Sequence, residues 1–203
     1  MTDLTMTSEP RNDTQPARRA MIDSQLRTSG VNEEYVLARM IAVPREDFLP
    51  AEKASLAYID RAVSLGANGH LAAPLFYGKL LMEAAPARTD RVLVVEGGTG
   101  YLAELLRPLV ADLTTVSAAD AVTGAGDAEY SLIMIDGAIE QLPEALVARL
   151  ADNGRVVAGL VLRQVTRLAS GRKVVGKVAL QPLEDMGIPV LHAFDAPKGW
   201  TFG

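Results

Sequence analysis

A chain of 203 residues is long enough for one domain of ordinary size with a sizeable core. With 49% hydrophobic and 22% charged residues, wholesale disorder is excluded, and a net charge of -5 gives no attraction for phosphate backbones or anionic bilayers. Neither nucleic acid nor a membrane is expected as a partner. The chain contains no cysteine, which excludes disulfides and thiolate chemistry, and His70 and His192 are too far apart to form a local metal-ligand pair, so no metal site is expected.

Residues 1–16, MTDLTMTSEPRNDTQP, are polar with no apolar stretch; they read as a disordered arm, not a secretory signal, and a cytoplasmic protein is the default. Residues 17–203 read as one domain, with a helical region over 17–85 and an α/β core over 86–203. Ala17 to Thr28 carries Met21, Ile22 and Leu26 on one helical face before Gly30. Asn32 is a good N-cap for a helix running to Val43, where Pro44 stops it. A third helical stretch spans Ala51 to Tyr58, a glycine-bearing loop runs from Asp60 to Ala73, and helix returns from Pro74 to about Ala85.

From Arg91 the rhythm changes. Val92 to Val95 is a continuous β-branched run closed by glycines, as expected of a strand buried on both faces at the centre of a parallel sheet. Helix is predicted over Tyr101 to Val110, then strands over Leu113 to Val116 and Ser131 to Ile135. A helix opening at Pro143 is expected to stop at Asn153 and Gly154 before a strand over Arg155 to Leu162. This order predicts a doubly wound, mostly parallel α/β sheet. Beyond it, Val165 to Leu168, Lys173 to Ala179, Val190 to Phe194 and Trp200 to Gly203 read as antiparallel edge strands, with Gly171 in a turn.

The loop VVEGGTGY, Val94 to Tyr101, follows a buried strand and opens a helix, which is where such a sheet receives a nucleotide-like ligand. Gly98, Gly100 and Asp120 only approximate the dinucleotide pattern, and no glycine follows Tyr101, which argues against NAD.

The segment MIDSQLRTSGVNEEYVLARMIAVPREDFLPAEKASLAYID, Met21 to Asp60, resembles the N-terminal region of protein-L-isoaspartate O-methyltransferases, most specifically in QLRTSGV, VPREDFLP and AYID. DRVLVVEGGTGY, IEQLPEALVARLADNGRVV and the closing GWTF extend the resemblance to about residues 17–203. It implies a Rossmann-like fold with N-terminal helices and an antiparallel C-terminal edge. It also implies S-adenosylmethionine as cofactor and methyl transfer to the carboxylate of L-isoaspartyl residues in damaged proteins. Such a reaction depends on positioning more than on acid or base catalysis.

Against that pattern the chain departs in four places. The family's substrate loop presents hydroxyls where this chain has His70, Leu71, Ala72, Ala73 and Pro74. Glu96 takes the place of the loop's first glycine and puts a negative charge where the cofactor's carboxylate would lie, which predicts weakened binding. At the end of the second strand, Ala118 or Ala119 stands where the family uses an acid for the ribose, and Asp120 comes late. Finally, only 13 residues separate Val116 from Tyr130. At ~3.3 Å per residue they reach roughly 40 Å, enough to cross the sheet but not to form the family's helix and strand together.

Gly126, Asp127 and Ala128 resemble the remnant of the family's adenine-contacting turn, or serve as a plain turn. Asp136 follows SLIMI at the cleft end of its strand. The expected cofactor-binding set is thus Glu96, Gly98, Gly100, Tyr101, Asp120, Asp127 and Asp136. Two readings follow: a carboxyl methyltransferase acting on isoaspartyl peptides, or a silent homologue working through protein contact. Loss of an edge strand would expose Leu113 to Val116, calling for cover by the N-terminal arm, the C-terminal segment or a second copy in a homodimer.

Overall fold

In the computed structural model, which describes residues 14–124 and 128–197, the chain enters through α1 (Gln15–Met21). The predicted single helix over Ala17 to Thr28 is not regular. After Met21 the backbone widens into a π turn (Ile22–Leu26), tightens into a 3-10 turn (Arg27–Ser29) and stops at Gly30, whose φ of 85° is left-handed. The widened turn keeps Met21, Ile22 and Leu26 buried together. α2 (Glu34–Ala42) is preceded by Glu33 in the cap position, not Asn32, and no side chain caps it. Two 3-10 segments follow, Arg45–Phe48 and Ala51–Leu56, the second replacing the helix expected over Ala51 to Tyr58.

The glycine-bearing loop contains a small hairpin, β1 (Val63–Ser64) and β2 (His70–Leu71), with a 3-10 tip at Gly66–Asn68. α3 (Pro74–Ala84) then begins with proline in its first turn, as predicted. The core runs through β3 (Arg91–Glu96), α4 (Tyr101–Leu106), β4 (Asp112–Ser117), α5 (Ala118–Thr123), β5 (Tyr130–Ile139), α6 (Glu144–Ala148) and β6 (Leu150–Leu162). The chain then turns back through β7 (Val165–Val174), β8 (Lys177–Val178) and β9 (Gln181–Asp185).

One seven-stranded sheet has the order β4-β3-β5-β6-β7-β8, with β9 also pairing β7. The first four are parallel and the returning strands antiparallel. Alternation on the interior strands divides two cores. Val92, Val94, Leu132 and Met134 pack with the N-terminal helices, α3 and α4. Leu93, Val95, Ile133 and Ile135 face the other way, toward Ala121 of α5 and Leu146 of α6. Both faces being covered explains why these runs carry no polar alternation. The result is the Rossmann-like, mostly parallel α/β fold with N-terminal helices and an antiparallel C-terminal edge.

Several local expectations are corrected. β3 is interior but second from the edge, because the C-terminal strands all add beyond β6. α6 ends at Ala148, and Asn153 and Gly154 lie inside β6 at a register shift instead of stopping a helix. Gly171 lies inside β7; the turn is at Val175 and Gly176, both at positive φ. Val190 to Phe194 is a bridge from Val190 to Ala138 followed by a 3-10 turn, not a strand. Between β4 and β5 the described residues form the short α5 and no strand, and among them nothing pairs with the outer side of β4, whose side chains are partly exposed on both faces. Residues 1–13 of the arm, Gly126 and Asp127, and the last predicted strand, 200–203, lie outside the described residues.

Candidate functional site

At the carboxyl ends of β3 and β5 the chain gathers a buried polar group. Asp136, inside β5, is fully buried. Its Oδ2 accepts from the Tyr77 hydroxyl of α3 at 3.1 Å, and that hydroxyl accepts the Ala72 N–H at 3.2 Å. The His70 ring, on β2, donates from Nε2 to the Asp136 carbonyl at 3.0 Å. Asp136 Oδ1 and Glu96 Oε1 are left without partners. Burial pushes the Asp136 carboxyl up to about 7, and the nearby Glu96 charge pushes the same way, while Tyr77, the Gly97 amide and Arg45 oppose it. Burial also raises Glu96 and lowers His70.

Arg45 closes the other side. It is fully buried, donates from Nε to the Ala57 carbonyl at 2.6 Å and from Nη2 to the Ala72 carbonyl at 2.7 Å, and no carboxylate pairs with it among the described residues. Its guanidinium lies over the rings of Tyr77 and Tyr101, 5.5 and 5.1 Å from their centroids. Those rings pack edge to face at 4.9 Å. Neither Arg45 nor Tyr77 is singled out by sequence reasoning; the signal available was Arg45's place in VPREDFLP.

The glycine loop behaves in an unexpected way. The start of α4, where free N–H groups would receive an anion, is supplied from within: Glu96 Oε2 accepts the Gly100 N–H at 3.0 Å. The β1–β2 hairpin presses on the loop, its His70 N–H donating to the Gly97 carbonyl at 2.9 Å. A side chain at Gly98 would strike the Asn68 carbonyl oxygen, and one at Gly69 would strike the Gly97 carbonyl. A Cβ at Gly97 would lie 2.5 Å from the Asp136 carbonyl oxygen and 2.7 Å from His70 Nε2. The space beside Gly69, Gly97 and Gly98 is therefore filled by backbone and side-chain atoms of the same chain, whereas nothing lies within 4 Å of a Cβ built on Gly100.

The expected site residues separate accordingly. His70, Glu96, Gly98, Gly100, Tyr101 and Asp136 come together, but Tyr101 is fully buried in the aromatic cluster. Leu71, Ala72 and Pro74 are buried too, while Ala73 between them is half-buried and lines a cavity with Asp60 and Arg61. Asp120 stands apart: its N–H donates to Ser117 Oγ at 3.1 Å, and that hydroxyl donates to Asp120 Oδ2 at 2.7 Å, capping α5. A cavity of about 360 Å³ beside the hairpin is lined by His70, Ala118, Leu191 and His192 among others, with no carboxylate on its wall.

The Protein-L-isoaspartate(D-aspartate) O-methyltransferase (PCMT) family profile matches residues 17–124. The chain is 30% identical over 193 residues to the protein-L-isoaspartate O-methyltransferase of Koribacter versatilis, covering 83% of this chain and 87% of that one. It is 28% identical to that of Methanoculleus marisnigri, over 90% and 93% of the two chains. In fold it is similar to a Plasmodium falciparum protein-L-isoaspartate O-methyltransferase solved in complex with S-adenosyl-L-homocysteine. The TM-score is 0.69 at 16% identity, over 89% of this chain and 98% of that one. Matched along most of its length, with the family's glycine loop between β3 and α4, the chain belongs to the S-adenosylmethionine-dependent protein-L-isoaspartate O-methyltransferase family.

Proposed function

We propose that this chain is a protein-L-isoaspartate O-methyltransferase-type protein in which the family's reaction, methyl transfer from S-adenosylmethionine to the carboxylate of isoaspartyl residues, is lost or strongly impaired, and that the retained fold works through protein contact. The observation that carries this reading is the closed glycine loop. The residues present do not fit the cofactor: Glu96 already accepts the Gly100 N–H, an added carboxylate there would meet its charge, and Asn68 to His70 fill the glycine face. Asp120, the first acid beyond β4, lies in the first turn of α5 with its Oδ2 accepting from Ser117 Oγ, so the end of β4 itself carries no acid for ribose hydroxyls. On the substrate side, His70 and Ala72 offer no hydroxyls and are buried. The test is an isoaspartyl peptide incubated with labelled S-adenosylmethionine: little or no methyl ester is expected, and turnover of about 1 per second or faster contradicts the proposal.

The bare edge of β4 supports a homodimer as the contact. DLTTVS, Asp112 to Ser117, carries neither proline nor lysine to blunt it, and among the described residues no strand pairs with its outer side.

A further inference from the structure

The chain contains two Asn-Gly pairs, Asn68–Gly69 at a hairpin tip and Asn153–Gly154 inside β6. An asparagine followed by glycine is chemically labile because no Cβ shields the following backbone nitrogen from the side-chain carbonyl carbon. Asn68 is exposed at the tip of the β1–β2 hairpin, and its side-chain amide makes no hydrogen bond among the described residues. Gly69, at φ 99°, gives its N–H to the Gly66 carbonyl at 3.2 Å, a long bond at the weak end of the normal range. Asn153 is exposed as well, but its backbone carbonyl is held by Arg172 Nη1 at 2.8 Å. Gly154 is wedged into β6, where a Cβ would meet the Ala151 carbonyl oxygen and the Leu150 side chain, each at 2.8 Å.

We propose that Asn68 is a site of spontaneous deamidation and isoaspartate formation, and that this modification releases the β1–β2 hairpin from the glycine loop. The Gly69 nitrogen attacks the Asn68 side-chain carbonyl carbon. A bond forms between them, the bond to the side-chain nitrogen breaks, and ammonia leaves with the amide proton, giving a five-membered imide. Water then opens the ring. Attack on the former side-chain carbonyl yields aspartate; attack on the backbone carbonyl yields isoaspartate, whose main chain runs through one additional methylene. No oxidant or cofactor is needed.

The position gives the modification its consequence. The Asn68 carbonyl and the Gly69 α-carbon lie in the space that a side chain on Gly98 would need, and the His70 N–H two residues on holds the Gly97 carbonyl. Lengthening the main chain at residue 68 cannot keep both contacts. Modification therefore converts an Asn-Gly turn into the chemical class of residue that this family acts on, while loosening the segment that closes the loop. The chemistry stands whether or not the chain binds S-adenosylmethionine.

The experiment ages the full folded chain at mildly alkaline pH and follows it by peptide mapping. The tryptic peptide Ala62 to Lys79 is compared with the peptide that contains Asn153, and isoaspartate is distinguished from aspartate by fragmentation. Conversion at Asn68 is expected to run several-fold faster than at Asn153, and hydrogen exchange at His70 is expected to quicken in the aged protein. Asn68→Asp, which adds the charge without lengthening the backbone, is expected to retain the slow exchange. Conversion at Asn153 ahead of Asn68, or at neither site while the unfolded chain converts at both, overturns the site. Conversion at Asn68 with unchanged exchange at His70, or equally fast exchange in Asn68→Asp, overturns the release by backbone lengthening.

Discussion

Replacing Asp136 with asparagine tests the electrostatics of the site. The carboxyl is fully buried and raised from 3.8 to about 7, first by burial and then by Glu96. A folded-state value above the unfolded one means that the native protein holds the proton more tightly. Stability on this account is greatest below about pH 4, is lost as pH rises between about 4 and 7, and is flat above. At 1.36 kcal/mol per pH unit the full swing is roughly 4 kcal/mol. Asp136→Asn removes the ionisation and keeps an acceptor for the Tyr77 hydroxyl, while placing an amide donor where no acceptor waits, a cost of about 1–3 kcal/mol at every pH. The variant should therefore be less stable than the parent at about pH 3.5 and more stable at about pH 8. Urea denaturation across that range measures both, with the slope checked for constancy. Parallel pH profiles for parent and variant would refute the reasoning, because they would mean that Asp136 does not hold a proton in the folded state.

Other outcomes follow from the same structure. Arg45→Ala strips the Ala57 and Ala72 carbonyls of their donor and leaves a void under Tyr77 and Tyr101, so a loss of about 3–5 kcal/mol is expected by urea denaturation; a loss below about 1 kcal/mol contradicts the role assigned to it. Light scattering coupled to size-exclusion chromatography should give a dimer for the full chain and for one lacking residues 1–16. A monomer in both, with β4 still bare, removes the homodimer.

How much of this was visible in the sequence depends on how local the cause is. VLVV and LIMI announce β3 and β5 because strands covered on both faces need apolar side chains at every position, a demand any reader of the chain can detect. The glycine loop and the shortened link after β4 were legible for the same reason, being matters of contiguous residues. Gly171 misled because glycine serves close packing as well as turns: a Cβ there would lie 2.7 Å from the Ala179 carbonyl oxygen. The asparagine and glycine at 153 and 154 likewise look like a helix stop yet form an irregularity within β6, Asn153 at φ 62°. Least legible was the closure of the site, since the contact of Asn68 to His70 with Gly97 and Gly98 joins segments some thirty residues apart through backbone atoms that carry no signature in side-chain pattern. Arg45 was hidden by the opposite rule, because an arginine is expected outside, and only the two carbonyls and two rings around it explain its burial.

With the chain's own backbone against Gly98 and Glu96 on the Gly100 N–H, the proposed closure leaves S-adenosylmethionine no seat in the glycine loop, which titration calorimetry of the full chain with that ligand measures. No saturable heat is predicted with ligand up to about 1 mM, corresponding to binding weaker than about -4 kcal/mol. A one-to-one isotherm with a Kd of about 1 µM, near -8 kcal/mol, would contradict the account.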